Sequence, residues 1–380
     1  MIYLDSAATT PLRREVLEAM WPYLTGEFGN ASSHHTLGES AARALAEARV
    51  AIAEILGCRA SEVTFTSGGT EADNLAVKGI ALASPRGRHV VTTSIEHEAV
   101  LESCEYLRRQ QGFEVTYLPV DGLGRVSAEQ VKAVLRPDTT LCSVMLANNE
   151  VGTIEPVAEI AQVTAFLGVP MHTDAVQAAG VLDLGVRMLG VEALSISGHK
   201  LGAPKGIGAL YLRGRVPVEP VMHGGGQERG RRSGTENVAG AVGLAKALRL
   251  AESSRAERVE RLKKLRDALI GGVLATVPSA VLTGDPGNRL PGSASFCFPG
   301  TSGEAVLLQL EQRGIVCSSG SACAAGSDQP SHVLLAMGIA PEIAQTAVRF
   351  TLGDATLAEQ VEEVVRAVGE ASEAVRAIVR

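Results

Sequence analysis

The chain has 380 residues, of which 46% are hydrophobic and 20% are charged, and its formal net charge is −7. This length predicts about two domains, and the negative charge provides no basic surface for binding nucleic acid directly. No apolar run reaches the roughly 18 residues that span a bilayer, and the N-terminus lacks the basic and apolar segments of a signal peptide. We therefore expect a cytoplasmic protein that does not bind a membrane.

Strands and helices are predicted to alternate along the first half of the chain. Helices at 12–24 and 39–56 precede a strand at 62–66, the turn Ser67-Gly-Gly-Thr70 and a helix at 71–83. Further strands, most of them separated by helices, are predicted at 89–93, 115–118, 141–146, 171–173, 193–196 and 207–212. This alternation predicts an α/β fold with a mostly parallel sheet covered by helices on both faces, in which ligands bind beyond the carboxyl ends of the strands.

The pattern changes after the last of these strands. A loop rich in glycine and arginine at 222–235 precedes two long helices, at 237–252 and 256–274, and short strands and helices follow until a last helix from Leu357. A domain boundary is therefore predicted near Glu252. The predicted units are a large domain of residues 13–251 and a smaller α+β domain of residues 1–12 and 252–380.

Lys200 lies on a turn of small residues, Ser197-Gly-His-Lys200, after the apolar strand at 193–196. Most lysines are surface charges, but an amine at the end of buried structure can be desolvated and oriented, as a Schiff-base lysine must be. Asp174 ends the preceding strand, where it either caps a helix or keeps a pyridine nitrogen protonated. Paired with Lys200 it fits pyridoxal phosphate (PLP), and Gln177 faces the same way to donate to a ring oxygen.

The turn Ser67-Gly-Gly-Thr70 joins a strand to a helix. Its backbone N–H groups and the helix N-terminus form an anion site, although tight strand–helix turns also use glycine for steric reasons. Ser197, His199 and Thr235 are candidate side-chain donors to the same phosphate.

Three further polar residues follow predicted strands or lie in apolar runs. His97 is either an exposed histidine or an imidazole that stacks on a planar cofactor and shuttles protons. Asn149 either stabilises a turn with its side chain or binds the ring hydroxyl or the substrate. Arg349 binds either a substrate carboxylate, as a bidentate partner, or an internal carboxylate.

The six cysteines have scattered spacings without a Cys-x-x-Cys pair, which predicts free thiols and no intrinsic metal site. Cys323 alone lies in a loop of small residues, Ser318 to Asp328, where a reactive thiol is accessible. The other five read as small hydrophobic residues: Cys58, Cys104, Cys142, Cys297 and Cys317.

Taken together, these features resemble the cysteine desulfurases of the NifS/IscS type, which are PLP enzymes of the class-V aminotransferase family with the aspartate-aminotransferase fold, PLP fold type I. The resemblance runs nearly end to end, and nine motifs occur in the order of the family. They are Tyr3-Leu-Asp-Ser-Ala-Ala-Thr-Thr-Pro11, Thr66-Ser-Gly-Gly-Thr-Glu-Ala-Asp-Asn74, Glu96-His97, Asn148-Asn-Glu150, His172-Thr-Asp-Ala-Val-Gln177, Ser197-Gly-His-Lys200, Arg232-Ser-Gly-Thr235, Ser318-Ser-Gly-Ser-Ala-Cys323 and Arg349-Phe350.

The resemblance implies a role for each candidate residue. Lys200 would form the Schiff base with PLP, Asp174 would bind the ring nitrogen, and His97 would stack on the ring. Asn149 and Gln177 would bind ring substituents. The phosphate would be held by Gly69, Thr70, Ser197 and His199, with Thr235 from the other subunit of a homodimer. Arg349, with Asn149, would bind the substrate.

The implied activity is removal of sulfur from L-cysteine, giving L-alanine and a persulfide on Cys323. An iron–sulfur scaffold protein or another acceptor, for example in tRNA thiolation, would receive the sulfur, and Cys323 could transiently ligate an iron–sulfur cluster. Two other classes remain open. A PLP aminotransferase or selenocysteine lyase would use the same lysine and arginine, and a non-catalytic sulfur or metal carrier would use Cys317, Cys323 and histidines.

Overall fold

The protein is built on a seven-stranded sheet with a smaller three-stranded sheet beside it. The computed structural model describes residues 1–320 and 329–379. The strands are β1 Ile2–Tyr3, β2 Val63–Thr66, β3 His89–Thr93, β4 Glu114–Leu118, β5 Thr139–Ser143, β6 Met171–Asp174, β7 Ala193–Ser197, β8 Gly208–Leu212, β9 Val281–Thr283, β10 Ser293–Cys297, β11 Ile315–Val316 and β12 Ala347–Thr351. The helices are α1 Arg14–Leu24, α2 Thr36–Leu56, α3 Gly69–Ala83, α4 Glu98–Gln111, α5 Ala128–Val134, α6 Val157–Phe166, α7 Val186–Leu189, α8 Val238–Ser253, α9 Arg255–Thr276, α10 Gly303–Glu311, α11 His332–Ala336, α12 Pro341–Ala344 and α13 Ala358–Val379.

The seven strands of the large sheet follow the order β2-β8-β7-β6-β5-β3-β4. Only β8 runs antiparallel to its two neighbours. Successive residues of a strand point to opposite faces, so Val90 and Leu141 join one apolar cluster with α3 and α4, whereas Val91 and Cys142 join another with α2 and α8. Helices therefore cover both faces, and the predicted mostly parallel α/β sheet is confirmed.

The small sheet has the order β12-β10-β9 and is antiparallel. Phe296, Phe298 and Phe350 are fully buried in a separate apolar cluster that also contains Ile2 and Leu4 from the N-terminus. This cluster supports the grouping of residues 1–12 with 252–380, and α8 and α9 meet at Ser254, but the domain division stays a prediction.

Short elements differ most from expectation. The sequence analysis did not anticipate β1, which becomes a strand only by pairing with β11, more than 300 residues away. It also missed α7, α11 and α12, which have four or five residues each. The apolar run at 343–348, just before Arg349, contributes to both α12 and β12. This division could not be predicted, because short runs carry no periodicity that distinguishes a helix from a strand.

A buried ion pair fastens the loop at 222–235 to the large sheet. Arg49 donates to both carboxylate oxygens of Glu228 at 2.7 Å, and Glu228 also accepts from the N–H of Phe65 at 2.9 Å. Glu228 and Arg229 have φ values of 49° and 60°, a region that non-glycine residues adopt only when their surroundings enforce it. The ion pair therefore holds a strained backbone in place.

Replacing Arg49 by alanine should destabilise the protein by about 3–5 kcal/mol, because Glu228 would be left as a buried charge without its partner. The measurement is the denaturant midpoint of unfolding. The matched control is Arg14→Ala, which removes the exposed Arg14–Glu18 pair and should leave the midpoint nearly unchanged. Equal midpoints for the two variants would contradict a stabilising role for the buried pair.

Candidate active site

The candidate residues lie at the carboxyl ends of five parallel strands of the large sheet. Gly69 and Thr70 follow β2, His97 follows β3, and Asn149 follows β5. Asp174 is the last residue of β6, and Lys200 lies on a single 3-10 turn directly after β7. The carboxyl ends of parallel strands meet at one edge, so residues far apart in sequence converge there, as predicted.

A cavity of about 480 Å³ opens at this edge. Its lining includes most of the predicted residues, namely Gly69, Thr70, His97, Asn149, Asp174, Gln177, Ser197, His199, Lys200 and Arg349. A neighbouring recess is lined by the turn from Ser67 to Thr70 together with Ser197 and His199. The predicted cofactor residues and the predicted phosphate residues thus surround adjoining spaces.

Lys200 is held by backbone carbonyl groups of the N-terminal segment. Its Nζ donates to the carbonyl oxygen of Ala7 and, at 2.8 Å, to that of Ala8. The carbonyl oxygen of His199 accepts from the N–H of Thr10 at 2.9 Å, which fixes the same segment against the turn. The amine is therefore oriented at the cavity wall.

Asp174 is only 7% exposed, and one oxygen accepts from the N–H of Val176 at 2.8 Å. Burial raises the pKa of Asp174 above its usual value, although the charge of His97, the bond from Val176 and the charge of Lys200 oppose this shift. A buried carboxylate among these groups can accept a hydrogen bond from a cationic N–H in the cavity.

The ring of His97 has a defined hydrogen-bond polarity. His97 is the N-cap of α4, and its Nδ1 accepts from the N–H of Ala99 at 3.0 Å. In the neutral ring the proton is then on Nε2. His97 can therefore donate a proton from the nitrogen that does not bind the helix.

The turn at the start of α3 has the features of a phosphate site. No side chain of the described residues caps the N-terminus of α3, and a Cβ on Gly69 would lie 2.8 Å from Val176 Cγ2. Ser197 Oγ is buried and has no hydrogen-bond partner within the described part of the chain. Burial, followed by the charges of Lys200 and Lys205, lowers the pKa of His199 to about 4, so its ring is neutral near pH 7. Helix N–H groups, a serine hydroxyl and a neutral imidazole fit a phosphate.

Two amide side chains face the same cavity. Gln177 Nε2 donates to the carbonyl oxygen of Ala7 at 3.0 Å. Asn149 Oδ1 is buried and unpartnered among residues 1–320 and 329–379. An unpaired buried acceptor is costly unless a ligand supplies a donor, so Asn149 also fits a polar group on a bound ring or substrate. The set of side chains as a whole therefore fits PLP.

Arg349 forms an internal ion pair, one of the two alternatives considered from sequence. It is 2% exposed, and its Nη2 contacts Asp5 Oδ1 at 3.0 Å and Ser318 Oγ at 2.8 Å. Its Nη1 donates to the carbonyl oxygen of Asn149 at 2.7 Å. Arg349 also lines the cavity, and its binding of a substrate carboxylate stays a prediction.

One predicted residue does not line this cavity, and another cannot be placed. Thr235 is exposed and does not line it, in agreement with a position that could face a second subunit. Cys323 lies outside the described residues. The five other cysteines are free thiols.

The sequence analysis missed several residues at the site. Ala7 and Ala8 act through backbone carbonyl groups, which side-chain chemistry does not reveal. Asp73 belongs to the motif from Thr66 to Asn74 but was not singled out, although it shares the helix face of the apolar residues Ala76, Val77 and Ile80. His332 also lines the cavity, and its Nε2 lies 3.0 Å from the carbonyl oxygen of Glu96.

The described residues contain neither a candidate metal site nor a membrane-spanning helix. No group of three or more His, Cys, Asp or Glu residues there is placed to hold a metal ion. Within the same residues, every helix is too short or too polar to cross a membrane.

The sequence matches the class-V aminotransferase family over residues 2–364, and the chain belongs to that family. Within it, the chain is a NifS/IscS-like member. It is 48% identical to the cysteine desulfurase IscS of Dictyoglomus turgidum, over 93% of this chain and 89% of the relative. It is 50% identical to an IscS-like cysteine desulfurase of Mycobacterium tuberculosis, over 95% of this chain and 94% of the relative.

Solved structures agree with this assignment. A NifS-like protein superimposes with a TM-score of 0.91 at 38% identity, covering 97% of this chain and 98% of the other. SspA, solved in complex with cysteine, gives a TM-score of 0.82 at 37% identity, covering 93% and 99%. The predicted family and the predicted fold of PLP fold type I are therefore confirmed.

Proposed function

We propose that the chain is a PLP-dependent cysteine desulfurase. It takes sulfur from L-cysteine, releases L-alanine and holds the sulfur as a persulfide on Cys323. The observation that carries this proposal is the convergence of Lys200, Asp174, His97 and the turn before α3 on one cavity, in a chain whose relatives are cysteine desulfurases.

Different residues around the cavity would bind different parts of the cofactor. The turn from Ser67 to Thr70, with Ser197 and His199, would hold the phosphate, and Asp174 would accept a hydrogen bond from the pyridine nitrogen. Bound PLP supplies an electron sink that stabilises negative charge on the α carbon of an amino acid. Asn149 and Gln177 would bind the polar substituents of the ring.

Lys200 and His97 are the groups that can move protons there. Lys200 Nζ is oriented by Ala7 and Ala8, so it can take a proton from the α carbon of a substrate that enters the cavity. His97 Nε2 can donate a proton to an atom of the substrate in the same cavity. Arg349 would bind the substrate carboxylate, which would then compete with Asp5 for the guanidinium.

Sulfur transfer needs a thiolate in addition to these groups. The Cys323 thiolate would attack the substrate sulfur, so a sulfur–sulfur bond forms and the carbon–sulfur bond breaks. The electron pair of the broken bond stays on the carbon, which takes up a proton and leaves as alanine. A second thiol or an iron–sulfur scaffold protein would then receive the outer sulfur in the cytoplasm.

A homodimer is part of the proposal. Leu17, Trp21 and Leu24 of α1 are 44%, 61% and 55% exposed, and Phe28 is 70% exposed. An apolar surface of this kind favours contact with another protein surface. Thr235, which is exposed and does not line its own cavity, would then complete the phosphate site of the second subunit.

Product analysis tests the proposed function. Purified protein supplied with PLP, L-cysteine and a reducing thiol should form alanine and sulfide in equal amounts. A 2-oxo acid in place of alanine would assign the chain to the aminotransferases and contradict the proposal. Comparing kcat/KM for L-cysteine and L-selenocysteine separates a desulfurase from a selenocysteine lyase.

A further inference from the structure

A second buried carboxyl group lies beside Asp174. Asp73 is on α3, one turn after Thr70, and α3 packs against β6, which ends in Asp174. Asp73 is 1% exposed and lines the same cavity. The proposed function uses Asp174 but leaves Asp73 without a task, so its chemical state needs an explanation.

No cation neutralises Asp73 within the described residues. His172 Nε2 lies 3.6 Å from Asp73 Oδ1, but its ring nitrogens are 2.8 Å from Ser143 Oγ and 3.0 Å from Ser195 Oγ. Burial lowers the pKa of His172 to about 3, so its ring is neutral near pH 7. The histidine therefore does not form an ion pair with Asp73.

The other titratable groups near Asp73 favour its neutral form. Asp174 lines the same cavity as Asp73, and Glu96 is fully buried nearby. Burial, then the negative charge of Asp174, raises the pKa of Asp73 well above its usual range, although a hydrogen bond from Ser195 opposes this shift. The charges of His97 and Lys200 lower the pKa of Asp174 and so favour its ionisation, although burial leaves that pKa raised overall. Of two adjoining carboxyl groups that share a proton, Asp73 is the one that keeps it.

We propose that Asp73 is a positioning residue for Asp174: as a neutral carboxylic acid it donates a hydrogen bond to the Asp174 carboxylate, which keeps that group ionised and turned toward the cavity. This inference rests on the proposed function only in assigning Asp174 to the pyridine nitrogen of PLP. Because Asp73 acts through Asp174, its effect is on cofactor binding and its pH dependence.

The test compares two substitutions of similar size in the full-length protein. Asp73→Asn keeps a donor toward Asp174 and should bind PLP within about threefold of the native dissociation constant, since an amide resembles a neutral carboxylic acid. Asp73→Leu removes the donor and should weaken binding about tenfold or more at neutral pH. Without its donor, Asp174 takes up a proton at higher pH, so the loss should increase as the pH falls.

The measurement is the PLP dissociation constant across a pH series, with the pH midpoint of the bound-cofactor absorbance as a second readout. Glu155→Gln is the matched control, because Glu155 is a buried acid that accepts from the N–H of Val126 at 3.0 Å and does not line the cavity, so its substitution should leave the pH dependence unchanged. Melting of each PLP-free variant checks folding, and Asp73→Ala serves if Asp73→Leu does not fold.

Two results would overturn the inference. Equal weakening by Asn and Leu would mean that Asp73 acts as an ionised carboxylate. Native pH dependence in Asp73→Leu would mean that Asp73 does not act through Asp174. If the native protein itself binds no PLP, the proposed function fails, and that outcome is distinct from both.

Discussion

Lys200→Ala should lower kcat/KM for L-cysteine by about 10³-fold or more, since a positioned proton-transfer group alone contributes about 10²–10⁴-fold. The expected loss is large because Lys200 Nζ is the amine that the carbonyl groups of Ala7 and Ala8 orient at the cavity wall. PLP would lose its covalent attachment to the chain, whereas the phosphate contacts of the turn before α3 would remain.

Borohydride reduction followed by peptide mass spectrometry measures that attachment, and an alanine assay measures the activity. Lys132→Ala is the matched control, because Lys132 is an exposed lysine of α5 and its loss should change neither result. PLP attached to another lysine in Lys200→Ala, together with native activity, would refute the assignment of Lys200.

The residues that converge at the sheet edge could be predicted because their positions follow from a general property of parallel sheets. Asp174 and Lys200 each follow an apolar strand, and β6 and β7 are neighbours whose residues Asp174 and Ser195 are in register. Strand ends can be found from local pattern, and the parallel arrangement then places them at one edge. Sequence alone therefore identified ten of the residues that line the cavity.

Contacts between distant segments could not be predicted in the same way. Asp5 pairs with Arg349, 344 residues away, and the N-terminal segment also supplies the carbonyl groups that hold Lys200. These contacts depend on how the N-terminal segment lies between the two sheets, and no local periodicity encodes that. For the same reason, two roles stayed open for Arg349. An arginine can bind a carboxylate of the protein or a carboxylate of a substrate, and the sequence does not distinguish the two.

Asp73 illustrates a different limit. Its place on α3 is encoded by the helix pattern, but its proximity to Asp174 arises from the packing of α3 on β6. An acid on a helix is usually solvent-exposed, so the sequence gives no reason to expect a neutral carboxyl group. Protonation states of buried groups depend on neighbours from other elements, and they become predictable only after the fold is known.

Cys323→Ser should abolish formation of alanine and sulfide from L-cysteine while PLP remains bound with its native absorbance. Serine keeps the size of the side chain but is a poor nucleophile toward sulfur, so the carbon–sulfur bond would not break. The other cysteines cannot take its place. Burial raises the pKa of all five described thiols, to about 11 for Cys297 and about 12 for Cys58 and Cys317, and Cys104 and Cys142 are completely buried.

Cys317→Ser is the matched control for this prediction, because Cys317 is the described cysteine nearest in sequence to Cys323 and is half-buried. Its substitution should leave alanine and sulfide formation close to native, since a thiol whose pKa is about 12 is almost entirely protonated near pH 7. Persulfide trapping with an alkylating reagent, followed by mass spectrometry, should find the extra sulfur on residue 323 of the native protein and of Cys317→Ser, and on no residue of Cys323→Ser. Sulfide production at the native rate by Cys323→Ser would contradict the proposed transfer step, because the substrate sulfur would then leave without a thiolate acceptor at that position.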